Sequence, residues 1–395
     1  MKKPTSARVL LNEREVGRLT QRAGRVSFRY TDRAADRPVL GLRYEYEPLT
    51  TEKGMGGGVP IWFANLLPEK GSGLRRMIIT QLGVPWINDF HLLTHLGEDL
   101  PGAVIVRPDG PDTDEPDIEH APTVPAARKL SFSLSGMQVK LSMARHGDGF
   151  AYEGVGGDWI VKFPSGRLRS LPENEHAIMT WLKLAGVDVP EHRLVAPADL
   201  KNIPAGLIEP SERAFAIKRF DREAGARIHQ EDFAQIFGLL PQEKDRGHAE
   251  DIGQVIQREC PQDLGEFVRR VTACVIVGNT DEHMKNWSLR YLDGRAPRLS
   301  PAYDIVCVTA YELFRSDTLT LSLDGQQDTR YLTVDHFRRF AETIGADPEV
   351  VAETVRATVA ALADSWAEIS ANCPVPDFVS AHIDARLRTL PLVRA

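Results

Sequence analysis

The sequence predicts an α+β protein in which a β-rich N-terminal module is followed by a small α/β lobe and a larger all-helical lobe. Three observations lead there. Short alternating apolar stretches fill the start of the chain, an acidic, proline-rich stretch separates Arg107 from Lys129, and apolar residues recur at intervals of three and four beyond Gln230. Arg8-Val-Leu-Leu-Asn12, Gly17-Arg-Leu19 and Val26-Ser-Phe-Arg-Tyr30 read as strands between charged turns. Pro60 to Glu69 and Asp89 to Gly97 carry apolar residues at helical spacing, and Leu100 to Val106 returns to strand. Residues 1–107 therefore form the first unit. Residues 108–128, with five prolines among six acids, are a linker or exposed loop.

Residues 129–229 form the small lobe. Its strands are Lys129 to Leu134, Asp158 to Phe163 and Ala214 to Phe220, with a helix from about Glu173 to Ala185. Residues 230–395 form the helical lobe, whose clearest stripe is Val351, Val355, Val359, Leu362, Trp366 and Ile369. The length, 395 residues, suits two or three domains, and the formal charge is -7, from 48 basic against 55 acidic residues. That balance argues against autonomous nucleic-acid binding, which has a basic footprint. No apolar run reaches the roughly 18 residues that span a bilayer, so no membrane association and a cytoplasmic location are expected. Cys260, Cys274, Cys307 and Cys373 lack metal-ligand spacing and read as structural thiols.

The chemistry concentrates in Val275-Ile-Val-Gly-Asn-Thr-Asp-Glu-His-Met-Lys-Asn286, where an apolar helix end runs into Asp281, His283, Lys285 and Asn286. Asp281 and Asn286 stand at the offset of the D-x-x-x-x-N catalytic loop of protein kinases, where an Asp orients the hydroxyl and an Asn holds magnesium. A capped turn accounts for the same spacing equally well. Asp304 lies in the apolar, strand-like run Leu299 to Val308. A carboxylate there needs a compensating cation, which is either a magnesium ion or an ion-pair partner. Lys162 emerges from an apolar strand as the phosphate-contacting lysine of a kinase does, and either Glu173 or Glu175 could orient it. Lys218, Arg219 and Phe220 sit where two lobes would hinge. Ser131 to Lys140 precedes the Lys162 strand as a phosphate-covering loop would, although it has one glycine and matches neither common glycine-rich pattern.

These segments, taken in order, resemble the HipA family, the serine/threonine kinase toxins of bacterial toxin–antitoxin modules. The resemblance rests on Phe63 to Glu69, Leu96 to Val104, Ser133 to Lys140, Ile160 to Pro164 and Glu173-Asn-Glu175. It continues through Lys218 to Arg222, Gln230 to Phe233, Gly278 to Asn286 and Pro301-Ala-Tyr-Asp304. It implies a bilobal protein-kinase-like fold and an ATP- and Mg2+-dependent serine/threonine kinase with Asp281 as the catalytic residue. Asn286 and Asp304 would hold magnesium. Lys162, the loop residues Ser135, Gly136, Met137, Gln138, Val139 and Lys140, the hinge residues Lys218, Arg219 and Phe220, and His283 and Lys285 would surround the nucleotide. His283 is also expected to brace the loop by hydrogen bonding. Ser133 matches a serine that family members autophosphorylate. Val139 and Glu282 depart from the family pattern without removing a group the mechanism requires.

The implied partners are a helix-turn-helix HipB-like antitoxin, operator DNA reached through that antitoxin, and a protein substrate. By analogy the substrate is glutamyl-tRNA synthetase or another aminoacyl-tRNA synthetase. A second reading makes the chain a co-repressor that bridges antitoxin dimers, and a third, a metal-dependent hydrolase using Asp281 and His283, lacks further ligands.

Overall fold

The structure is a computed structural model that describes residues 4–32, 34–47, 51–109, 138–154 and 156–394. The expected linker and the strand at Lys129 to Leu134 lie almost wholly outside these residues. β1 (Ser6–Leu11), β2 (Arg14–Arg22), β3 (Arg25–Tyr30), β4 (Thr51–Lys53) and β5 (Val104–Pro108) form one antiparallel sheet in the order β4-β3-β2-β1-β5. Its inner face carries Val9, Leu19, Phe28 and Val106. Helices α1 (Leu42–Tyr46), α2 (Ile61–Ala64), α3 (Gly73–Gln81) and α4 (Asp89–Leu96) cover that face with Trp62, Phe63 and Phe90. The β2–β3 turn takes positive φ at Ala23 and Gly24, the hand that matches strand twist in a two-residue hairpin.

The small lobe is a six-stranded sheet in the order β10-β7-β6-β8-β11-β9. Its strands are β6 (Lys140–His146), β7 (Gly149–Ala151), β8 (Trp159–Lys162), β9 (His192–Val195), β10 (Leu200–Lys201) and β11 (Ala214–Lys218). Helix α5 (Leu171–Leu184) packs on β9 and β11. The sheet shares its core with the N-terminal module: Phe150, Trp159 and Val161 join the same apolar cluster as Trp62 and Phe90. A two-stranded ribbon, β12 (Arg222–Glu223) with β13 (Ala226–Arg227), leads out of this lobe.

The lobe expected to be all-helical also carries two small antiparallel sheets. One joins β14 (His229–Asp232), β15 (Ser288–Tyr291) and β16 (Pro297–Leu299), the other β17 (Thr318–Leu323) and β18 (Gln326–Asp328). Most of these strands have three or four residues, too short for a two-residue period to register. The run from Leu299 to Val308, expected as strand, is strand only up to Leu299 and then irregular. The helices are α6 (Phe233–Phe237), α7 (Ala249–Glu259), α8 (Leu264–Val277), α9 (Val334–Ile344), α10 (Pro348–Asn372), α11 (Asp377–Thr389) and α12 (Pro391–Arg394). α10 starts cleanly because Asp347 accepts from the amides of Glu349 and Val350 and Pro348 fills the first helical position. Its apolar stripe packs on α5 and α8, with Trp181 and Trp366 ring centroids 4.6 Å apart.

The N-terminal module touches the helical lobe through a buried carboxylate. Glu231, on β14, accepts from the Leu42 amide (2.8 Å), the Trp62 indole (3.1 Å) and the Tyr291 hydroxyl (2.5 Å). Burial pushes this carboxyl up to about 7, against the pull of its three donors. Beside it, Asp99 and Asp221 alternate with Arg219 and Arg222 at 2.8–3.3 Å, and Asp221 also accepts from the Gly102 amide at 2.8 Å. Against the opposing effect of burial, the flanking guanidinium groups hold Asp221 well below the usual carboxylate range. Glu231→Ala is expected to strand three buried donors. Each unsatisfied group costs about 1–3 kcal/mol, so a denaturant titration should show a loss of at least about 3 kcal/mol.

Candidate active site

Helix α8 is apolar to its last turn and stops because Gly278 adopts a left-handed backbone, φ +76°, which reverses the chain into a polar loop. Arg386, on α11, secures that end by donating to the carbonyls of Ile276 (3.0 Å) and Val275 (2.6 Å). The loop is then held by its own backbone: the His283 amide donates to the Asp281 carbonyl at 2.9 Å and the Asn286 amide to the His283 carbonyl at 2.8 Å. The Asn286 side-chain nitrogen donates to the Asp281 carbonyl at 2.9 Å, which turns its oxygen, Oδ1, into the free end of the amide. Asp281 and Asn286 are thus brought together by the fold. Although solvent reaches Asp281, the protein around it raises its carboxyl above the ordinary value; Lys244 opposes this and Asp245 and Glu69 add to it.

A second group of charges gathers between the lobes. Lys140 and Lys162 stand directly opposite each other on β6 and β8. The Lys162 ammonium pairs with both Glu175, near the start of α5, and Asp304. Lys140 reaches the other oxygen of Asp304 at 3.5 Å. Of the two candidate acids on α5, then, Glu175 orients Lys162, while Glu173 remains a half-buried residue of the first turn. Burial drives both lysines down to about 8, with Glu175 pulling the other way. Asp304 has a left-handed backbone, φ +57°. The neighbouring Tyr303 hydroxyl donates to the Lys285 carbonyl at 3.0 Å and lies 2.6 Å from the Ser288 hydroxyl, so one side chain joins the two charged groups.

Two expected nucleotide contacts have side chains that are otherwise engaged. Lys285 is buried, and its ammonium donates to the Asn65 carbonyl (2.8 Å), the Asn65 side-chain oxygen (3.1 Å) and Asp232 (2.9 Å). An ammonium has three protons, so nothing is left for a phosphate. The lysine instead ties the loop to the N-terminal module. Arg219 is spent in the buried cluster with Asp99, Asp221 and the Ser142 hydroxyl, and the amides of Lys218 and Arg219 donate to the backbone carbonyls of Glu191 and Asp158. At His283, Nδ1 has no side-chain partner to brace the loop among the described residues, and burial drives the ring down to about 3, so it is neutral.

Phe220 packs against Tyr303 with centroids 5.4 Å apart, and the Lys218 side chain is exposed. Gln138 donates to the Phe163 carbonyl at 2.6 Å, and Val139 packs on the apolar core. Ser133, Ser135, Gly136 and Met137 lie outside the described residues. Among the described residues no three His, Cys, Asp or Glu side chains gather as a metal cage, and no helix is long and apolar enough to cross a membrane. The four cysteines are free thiols, three of them buried. Sequence reasoning passed over Tyr303, Asn65 and Lys244. Tyr303 and Asn65 stand within blocks that carry the family resemblance, Pro301 to Asp304 and Phe63 to Glu69, whereas nothing local marks Lys244.

Two family descriptions match the chain: the HipA N-terminal domain over residues 7–107 and the HipA-like C-terminal domain over residues 132–366. A protein of Sinorhizobium fredii, provisionally named kinase Y4dM, is 40% identical over 343 residues, covering 85% of this chain and 83% of its own. The serine/threonine-protein kinase toxin HipA of Shewanella oneidensis is 24% identical over 381 residues, 86% of this chain and 84% of its own. The solved complex of Shewanella oneidensis HipA, HipB and operator DNA contains a chain that superposes with a TM-score of 0.73 at 22% identity over 98% of both chains. That match establishes the fold. Lys285→Met should leave the Asp232 carboxylate and two Asn65 acceptors without their cation. Breaking a buried pair in this way costs about 3–5 kcal/mol, which thermal unfolding would register as a lowered midpoint.

Proposed function

The chain belongs to the HipA family, and from that premise we propose that it is an ATP- and Mg2+-dependent serine/threonine protein kinase. The observation that carries the reading is Lys162, paired at once with Glu175 and Asp304. The lysine–glutamate pair from the third strand and the adjacent helix is the arrangement that places a kinase lysine on the nucleotide phosphates. Lys140 beside it adds a second cation for the same charge. Asp281 accepts the proton of the attacking hydroxyl, and its raised carboxyl is suited to that task. The rest of the catalysis is positioning and charge neutralisation during in-line transfer of the γ-phosphoryl group.

The donor set suits magnesium. Asn286 offers a carbonyl oxygen, because its nitrogen is fixed on the Asp281 backbone, and Asp304 offers a carboxylate. Two hard oxygen ligands from protein leave the remaining positions to phosphate and water, the usual pattern for this ion. When bound, magnesium would neutralise charge developing on the β- and γ-phosphate oxygens. A helix-turn-helix antitoxin is the partner that goes with this family, and the similarity to a HipA chain in complex with HipB and operator DNA supports it. An acidic chain would then meet DNA through that partner. Retention of Lys162, Glu175, Asp281, Asn286 and Asp304 favours an enzyme over a solely bridging co-repressor.

Asp281→Ala should leave the fold intact, because the side chain is exposed, and should lower transfer of the γ-phosphate of radiolabelled ATP by at least about 100-fold. Unchanged transfer overturns the assignment. A second expectation concerns protons. Lys140 and Lys162, each down near 8, are partly neutral at pH 8, and a bound triphosphate restores their charge. Calorimetry of ATP binding in buffers of different ionisation heat should therefore show proton uptake at pH 8 and less at pH 7, where both lysines already carry charge.

A further inference from the structure

We propose that Asn174 is a positioning residue that sets Asp304 for the divalent cation, by fastening the chain three residues downstream to the helix that carries Glu175. The inference rests on the kinase reading above and deepens it. Asn174 is wholly buried, and its amide grips the backbone of one residue with both ends. Its nitrogen donates to the Cys307 carbonyl at 3.1 Å, while its oxygen accepts from the Cys307 amide at 3.1 Å. The same nitrogen lies 3.3 Å from the Tyr311 hydroxyl, which in turn donates to the Arg169 carbonyl, just before α5, at 3.1 Å. A primary amide that pairs with both the N–H and the C=O of one residue fixes that residue in orientation as well as position, as a neighbouring strand would.

The need for such a hold comes from Asp304 itself. A left-handed backbone is disfavoured for a residue with a side chain, and it persists where the surroundings over-determine it. On the upstream side Tyr303 ties the segment to the loop of Asn286 through the Lys285 carbonyl. On the downstream side Asn174 holds Cys307 by both its N–H and its C=O, next to the Val308 and Thr309 amides, which donate to the Gly278 carbonyl at 3.1 Å. Because Asn174 and Glu175 are adjacent on α5, a single helical turn sets both carboxylates that face Lys162: Glu175 by its own side chain, Asp304 through the Cys307 backbone. Asn174 touches neither nucleotide nor metal in this account. It acts through Asp304, as groups that orient metal ligands do, and loss of such a group typically lowers metal affinity by about 10–100-fold.

The test compares the full chain with Asn174→Leu and Asn174→Asp. Leucine keeps the volume and removes every hydrogen bond; aspartate keeps the acceptor for the Cys307 amide and loses the nitrogen donor. Mn2+ binding is titrated by electron paramagnetic resonance in the presence of a non-hydrolysable ATP analogue, and amide hydrogen exchange is followed across residues 303–311 in metal-free protein. Both variants are expected to weaken Mn2+ binding by about 10-fold or more and to speed exchange in that segment, with transfer recovering at saturating metal. Should Asn174→Leu fail to fold, Asn174→Asp alone decides. Wild-type Mn2+ affinity in a folded variant overturns the proposal. Asp304→Asn serves as the control for the underlying reading: if it binds Mn2+ and transfers phosphate as the parent chain does, the kinase assignment of the site fails instead.

Discussion

The buried ammonium of Lys162 is the constraint on which the site depends. A cation taken out of water at the junction of two lobes must be answered by carboxylates that arrive from elsewhere in the chain, and here they arrive from α5 and from the segment after β16. The strand, the helix and the returning segment are therefore fixed relative to one another by a single charge. Burial that weakens the lysine also keeps it poised: an ammonium near 8 responds strongly to a polyanion placed beside it, and weakly to water.

The N-terminal module takes part in this architecture through polar contacts as well as through its shared apolar core. Glu231 receives donors from Leu42 and Trp62, Lys285 donates to Asn65, and Arg219 and Arg222 pair with Asp99. Each contact is buried and each sets a partner in the module against a residue of the kinase-like lobes. Buried polar contacts contribute little net stability beside an apolar packing of equal volume, but they tolerate no substitute geometry. The module therefore sets where the loop of Asp281 and Asn286 lies, and its Glu69 adds to the raised carboxyl of Asp281.

Much of this was legible in the sequence because it depends on local pattern. The strands of the first sheet, the helix beginning near Glu173 and the long α10 stripe follow from two-residue and three-to-four-residue periods. The pair Asp281 and Asn286 was legible because its spacing sits within one loop. The partners of Lys285 and Arg219 were not legible for a physical reason: a charged residue beside a motif looks available for a ligand, and only the fold discloses that its hydrogens bond to Asn65 and Asp232, or to Asp99 and Asp221. The choice between Glu173 and Glu175 is of the same kind, since it turns on which face of one helical turn meets β8. The short strands β14 to β16 escaped because they are too brief for a period to show, and polar residues such as those of His229 to Asp232 become strand by pairing with β15, which lies far along the chain.

The contact between Asn65 and Lys285 spans 220 residues of sequence, and that distance has a meaning during synthesis. A ribosome adds roughly 5–20 residues per second, so the surface around Asn65 waits on the order of 10–40 s before the lysine that completes it has been made. Asp99 waits in the same way for Arg219 and Arg222, some 120 residues later. During that interval the first module carries a partly apolar face that later residues of its own chain cover in the folded protein. The finished loop of Asp281 thus reports that translation has run well past the module: the chain acquires its ordered site only after the greater part of it has been made.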